Sequence, residues 1–326
     1  MHTRLLFVLT NACLAWGCAS GAEPAGSNSV DAGSTQPLHE RVSHHYAQNG
    51  DVKIHYVALG NGPLVVMIHG FPDFWYTWRE QMTALAPNYR VVAMDNRGYN
   101  RSDQPEGVDA YATPNLVGDV AAVINAEDAG PAVVVGHDWG GFIAWNVAMF
   151  EPELVSNLIV LNLPHPNGLG REIANNPTQR ANSSYAFEFQ KPNAHDALSA
   201  EGLARWVRDP AAKMHYLTAF ERSSFEGMLN YYKANYPNPE ALPSDAEDAQ
   251  PPQLPKVQAP VLVMHGLDDQ ALLPGGHDGT WQWVEQDLTL VTVPGAGHFV
   301  QHDASNFVTQ NILAWLEQRV PNDAKP

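Results

Sequence analysis

Pro131-Ala-Val-Val-Val-Gly-His-Asp-Trp-Gly-Gly141 runs from an apolar strand segment straight into a glycine-bracketed turn with Asp138 at its apex. The spacing small-x-Asp-x-small is what a sharp strand-to-helix elbow requires. Gly136 and Gly140 let backbone pass close beneath the apex, and the apex side chain then projects from the sheet edge, where a nucleophile is held. A carboxylate at that position is already ionised at neutral pH. It attacks an electrophilic sp3 carbon and leaves an alkyl ester, whereas a serine would attack an acyl carbon. The plainer reading of Asp138 is a cap on the following helix. The downstream residues described below favour the nucleophile.

Outward from the elbow, short apolar strands alternate with amphipathic helices. Strands are expected at His45 to Ala47, Val52 to Ala58, Leu64 to Ile68, Arg90 to Met94 and Leu158 to Leu161, and again at Val261 to Met264 and Leu288 to Val293. Helices are expected near Tyr76 to Leu85, Pro114 to Asn125, Gly140 to Phe150, around Trp281, and from Asn306 to Arg319. Near-continuous apolar strands separated by helices predict an α/β fold, a mostly parallel central sheet covered on both faces. Residues 164–255 interrupt this rhythm. They are rich in Asn, Pro, Tyr and Phe and lack a Val/Ile strand run, which predicts an inserted helical cap between a first core half, 42–163, and a second, 256–326. Such a cap closes a pocket at the C-terminal edge of the sheet.

With 326 residues, 44% of them hydrophobic, the chain can bury one large core. A formal charge of −17 with only 18 Lys plus Arg argues against nucleic acid and against a basic docking patch for anionic lipid. Residues 1–19 read as a secretory leader: Arg4, then Leu-Leu-Phe-Val-Leu9, then small residues with Gly17 and Ala19 before the expected cleavage. Export to a periplasmic or extracellular destination is the expectation. The leader is too short to span a bilayer permanently. A lipoprotein signal anchoring the chain through Cys18 is the competing reading, although Ala15 and Trp16 depart from that pattern. Cys13 and Cys18 both fall in the leader, which leaves no disulfide for the mature domain. Residues 20–41 are largely small and polar and read as a flexible linker.

From about residue 42 onward the chain resembles the α/β-hydrolase fold family, most closely its epoxide hydrolase branch. His69-Gly-Phe-Pro-Asp-Phe-Trp-Tyr-Thr-Trp78 is similar to the family's oxyanion loop, and His137-Asp-Trp-Gly-Gly141 to its elbow. Asp95-Asn-Arg-Gly-Tyr-Asn-Arg-Ser102 resembles a structural turn of the family, with Asn100 where Gly is more frequent. Ser184-Tyr-Ala-Phe-Glu-Phe-Gln-Lys-Pro192 and Leu229-Asn-Tyr-Tyr-Lys233 resemble the cap segments that carry two epoxide-polarising tyrosines, which fall on Tyr185 and Tyr232. His298, in Gly295-Ala-Gly-His-Phe-Val-Gln301, follows the last strand and matches the base. The orienting acid lies in Gly266-Leu-Asp-Asp-Gln-Ala-Leu-Leu273, and the family's spacing favours Asp269 over Asp268.

The resemblance implies that Asp138 attacks an epoxide while Tyr185 and Tyr232 donate to the ring oxygen. His298, fixed by Asp269, then activates water against the ester, whose oxyanion sits on the backbone N–H groups of Phe71 and Trp139, and a vicinal diol leaves. Trp75, Trp139, Phe187 and Phe299 are expected to line an aromatic pocket. No cofactor is required, and no His-Glu-x-x-His or Cys-x-x-Cys metal pattern occurs. Of fourteen histidines, His44, His45, His195 and His215 have no evident constellation. A haloalkane or haloacid dehalogenase using the same triad is the alternative, although Phe71 stands where many haloalkane dehalogenases carry Asn. A non-catalytic binding module on a hydrolase scaffold is the reading from another class.

Overall fold

The computed structural model describes residues 36–237 and 253–320. The leader, Cys18 and most of the linker lie outside the described residues. Eight strands form one sheet: β1 (Ser43–Asn49), β2 (Val52–Leu59), β3 (Leu64–Ile68), β4 (Arg90–Met94), β5 (Ala132–His137), β6 (Val155–Leu161), β7 (Val261–Gly266) and β8 (Leu288–Val293). Their spatial order is β1-β2-β4-β3-β5-β6-β7-β8. β2 runs antiparallel to both its neighbours, and every pairing from β4 to β8 is parallel. Strand β5, which runs into Asp138, is therefore interior, between β3 and β6. Every residue of β3, β5 and β7 is buried, as expected for strands covered on both faces.

The helices are α1 (Leu38–Arg41), α2 (Arg79–Leu85), α3 (Thr113–Glu127), α4 (Trp139–Phe150), α5 (Pro166–Asn175), α6 (Pro177–Asn182), α7 (Ser184–Phe189), α8 (Ala200–Leu203), α9 (Pro210–Arg222), α10 (Phe225–Asn235), α11 (Val300–Asp303) and α12 (Ser305–Glu317). α2 packs with α12 and α3 with α4 as the sheet-flanking helices, while α5 to α10 build the cap. Asparagine or serine side chains start α6, α8 and α10, each accepting the first free backbone N–H groups. Among the described residues no helix is long and apolar enough to cross a membrane.

Two expectations are corrected. The predicted linker does not extend to residue 41, because Leu38 is buried in the core cluster and α1 forms around it. Near Trp281 there is only a 3-10 turn, Thr280–Trp283, with Trp281 exposed. Pro274-Gly-Gly-His-Asp-Gly279 leaves too few helix-forming residues to nucleate an α-helix, and Gly279 takes a positive φ.

Candidate active site

Parallel strands point their C-terminal ends the same way, so the loops after β3, β5, β6, β7 and β8 converge on one edge of the sheet. Asp138 is held there at φ 52° and ψ −122°, a conformation costing a non-glycine residue about 1–3 kcal/mol. Close backbone approach enforces it. A Cβ on Gly136 would meet the Gly140 carbonyl oxygen at 2.2 Å, and one on Gly140 would meet the Ile68 carbonyl oxygen at 2.1 Å. The Asp138 side chain does not cap α4. Its Oδ1 accepts the Phe71 N–H at 2.7 Å, and its Oδ2 lies 3.4 Å from His298 Nε2.

His298 Nδ1 is 2.9 Å from Asp269 Oδ2. Asp269 is buried whereas Asp268 is exposed, which separates the two adjacent candidates. Asp269 Oδ1 accepts the N–H groups of Ala271 and Leu272 at 2.7 and 3.0 Å, and Oδ2 accepts Asn162 Nδ2 at 2.7 Å. Burial opposes its charge, but His298 and these donors hold its carboxyl well below the usual carboxylate range. Asp138 is lowered too: burial works against its charge, and His298 and the Phe71 amide outweigh it. His298 is raised to about 10, because the Asp269 and Asp138 carboxylates overcome the desolvation that would lower it.

From the cap, Tyr185 on α7 and Tyr232 on α10 meet across 6.2 Å between ring centroids. Both line a cavity of about 150 Å3 with Asp138 and Trp139. Neither hydroxyl donates to a protein acceptor among the described residues, and burial, reinforced by Asp138, raises both phenols well above their ordinary value. Tyr231 is spent differently, donating to the Arg97 carbonyl at 2.9 Å. That bond ties the cap to the turn after β4, and of the two adjacent tyrosines it is Tyr232 that lines the cavity.

The aromatic expectations divide. Trp139 lines the cavity, its ring edge-on to Tyr232 at 5.0 Å. Phe187 does not: it packs on Tyr236, because it lies two residues, about 200°, around α7 from Tyr185. The residue four beyond Tyr185 is Phe189, which the sequence reading missed and which contacts Phe71 and Tyr232 at 5.4 and 5.1 Å. Phe299 flanks His298 at 5.3 Å and stacks on Trp206 at 4.0 Å instead of lining the cavity. Trp75 belongs to another region, where its backbone N–H donates to Asp95 and the residue lines a second cavity. The loop that starts at Phe71 has by then turned away from Asp138. Asn162, unanticipated, follows β6 with φ 44° and donates through Nδ2 to Asp269. Its only sequence signal was a lone Asn directly after an apolar strand.

The alpha/beta hydrolase fold family matches residues 63–305. Epoxide hydrolase 1 of Caenorhabditis elegans is 32% identical over 84% of this chain and 70% of its own length. The chain belongs to the α/β-hydrolase fold family, in its epoxide hydrolase branch. Epoxide hydrolase 4 of Mus musculus is 30% identical, covering 85% of this chain and 79% of that protein. Among solved structures of the family, the Bacillus megaterium epoxide hydrolase in complex with an inhibitor superposes with a TM-score of 0.76 at 31% identity, over 83% of this chain and 99% of that one. The chain is thus a hydrolase by family.

Proposed function

We propose that this hydrolase opens epoxides to vicinal diols through a covalent aspartyl ester. The observation that carries the reading is a single cavity bounded by one carboxylate, Asp138, and two phenol hydroxyls, Tyr185 and Tyr232, that donate to no protein acceptor. The Phe71 N–H occupies Asp138 Oδ1, leaving Oδ2 to attack a ring carbon. The C–O bond breaks, its electron pair moves to the ring oxygen, and a tyrosine hydroxyl supplies the proton. His298 then takes a proton from water, which attacks the Asp138 carboxyl carbon. The oxyanion rests on the N–H groups of Phe71 and Trp139, and collapse releases the diol with the former Oδ2.

Paired phenols support an epoxide over a halide. An alkoxide formed in ring opening stays attached and needs both a donor and a proton, whereas a halide leaves as an anion. His298→Gln is expected to trap the ester, seen by intact-protein mass spectrometry as a gain of one substrate mass. In oxygen-18 water, the first turnover of the unaltered enzyme is expected to label Asp138 and not the diol. A labelled first diol, or halide release from a haloalkane faster than diol formation, contradicts the reading. The leader at residues 1–19 supports export of this enzyme, and the mass of the mature N-terminus separates ordinary cleavage from lipidation at Cys18.

A further inference from the structure

A second cavity, of about 260 Å3, lies at the junction of core and cap and shares no lining residue with the first. Its ionisable walls are His39 of α1, His44 of β1, Arg101 after β4, and His215 and Arg222 of α9. All five are basic, in a chain whose formal charge is −17. No carboxylate is among the residues that line it, although Glu40 Oε1 lies 3.9 Å from His39 Nε2 and the charge of Asp209 reaches His215. Asp95 Oδ1 accepts the Trp75 N–H at 3.1 Å, and its Oδ2 accepts Asn100 Nδ2 at 2.9 Å while standing 2.6 Å from His55 Nδ1. His55 Nε2 in turn is 2.8 Å from His44 Nδ1, so a buried Asp–His pair holds the His44 ring in the cavity wall. His44 therefore has a constellation that the sequence did not reveal.

Neither arginine is engaged. Arg101 and Arg222 are exposed and make no hydrogen bond or ion pair through their side chains among the described residues. Arg90, Arg97, Arg171, Arg180 and Arg319 each bond a carboxylate or carbonyl, and Arg41, Arg205 and Arg208, which also have no side-chain partner among the described residues, do not line this cavity. Two unspent guanidinium forks, one on the core and one on a cap helix, flank a polar cavity large enough for a small oxyanion and several waters. Guanidinium binds phosphate and carboxylate groups in paired hydrogen bonds.

We propose that this cavity binds a small oxyanion, a phosphate or carboxylate group, between Arg101 of the core and Arg222 of the cap. The bound anion ties α9 to the turn after β4. Isothermal titration calorimetry at constant ionic strength, with sodium phosphate in one arm and sodium succinate in the other, tests this. Saturable one-site binding in the millimolar range is expected from at least one probe, and the arm that binds identifies the group. Arg101→Ala/Arg222→Ala is expected to weaken it by roughly tenfold or more. Both side chains are exposed, and circular dichroism together with epoxide turnover shows that the variant is folded. Asp138→Ala is expected to bind as the unaltered protein does, since the two cavities share no residue. Absence of saturable heat from either probe, or equal affinity in the double arginine variant, overturns the proposal.

Discussion

Asp138 and His298 titrate in opposite directions because each stabilises the charge of the other. In the proposed reaction esterification removes the Asp138 charge, which is one cause of the raised His298 value of about 10, so the pKa of His298 is expected to fall when the ester forms. Alkylation needs the carboxylate, which is ionised across the neutral range, whereas ester hydrolysis needs neutral imidazole. Single-turnover measurements are therefore expected to give an alkylation rate that is flat through neutral pH and a hydrolysis rate that rises with pH. A hydrolysis rate that falls as pH rises contradicts the role of His298 as base. Asp269→Asn leaves the imidazole without its anionic partner and is expected to slow ester hydrolysis by roughly a thousandfold or more, while Asp268→Asn, on an exposed side chain, stays near the unaltered rate. Equal damage from the two substitutions would remove the distinction between the two acids.

Two elements carry the phenols. Tyr185 is on the face of α7 that it shares with Phe189, and Tyr232 is on α10, whose neighbouring Tyr231 is committed to the Arg97 carbonyl. Helical spacing thus presents one hydroxyl per helix to the same cavity. Either Tyr185→Phe or Tyr232→Phe is expected to slow ring opening about a hundredfold, as for the loss of one oxyanion donor, and the double variant to abolish it with substrate binding retained. Rapid-quench detection of the ester measures this directly. Undiminished ester formation in the double variant means the proton comes from elsewhere.

The whole molecule buries several histidines that the reaction does not use. Burial holds His69 and His137 at about 4, and His165 and His277 at about 3. The unfolded chain takes up protons as pH falls through 6.5, while these native imidazoles take none until much lower pH. The stability they contribute is therefore complete above 6.5 and is lost as pH falls towards 4, by about 1.4 kcal/mol per pH unit for each histidine. His298 has the opposite sign: its contribution is complete below 6.5 and is lost as pH rises through about 10. Urea unfolding across pH is expected to give maximum stability near neutrality with a steep acid limb. A stability that is constant from pH 7 to 4 would mean that these histidines titrate normally.

The sequence alone determined what depends on neighbours along the chain. Apolar runs located the strands, Gly136 and Gly140 located the elbow around Asp138, and loss of the strand rhythm after Pro164 located the cap. Hydrophobic periodicity and backbone sterics are local, so they are legible in one dimension. What it left open or misplaced were choices between adjacent or similar residues: Asp268 or Asp269 stayed open, and Phe187 was expected at the pocket where Phe189 packs on Tyr232. Only tertiary structure decided these, because burial and hydrogen-bond partners come from segments far apart in sequence. Asn162 reaches Asp269 over 107 positions, and Tyr231 reaches Arg97 over 134. The same reason explains Trp75, assigned to the first cavity by its place in a motif, and His44, left without a role until β2 set His55 beside it. Strand register and the path of the chain between elements bring such groups together, and neither is written in the residues that flank them.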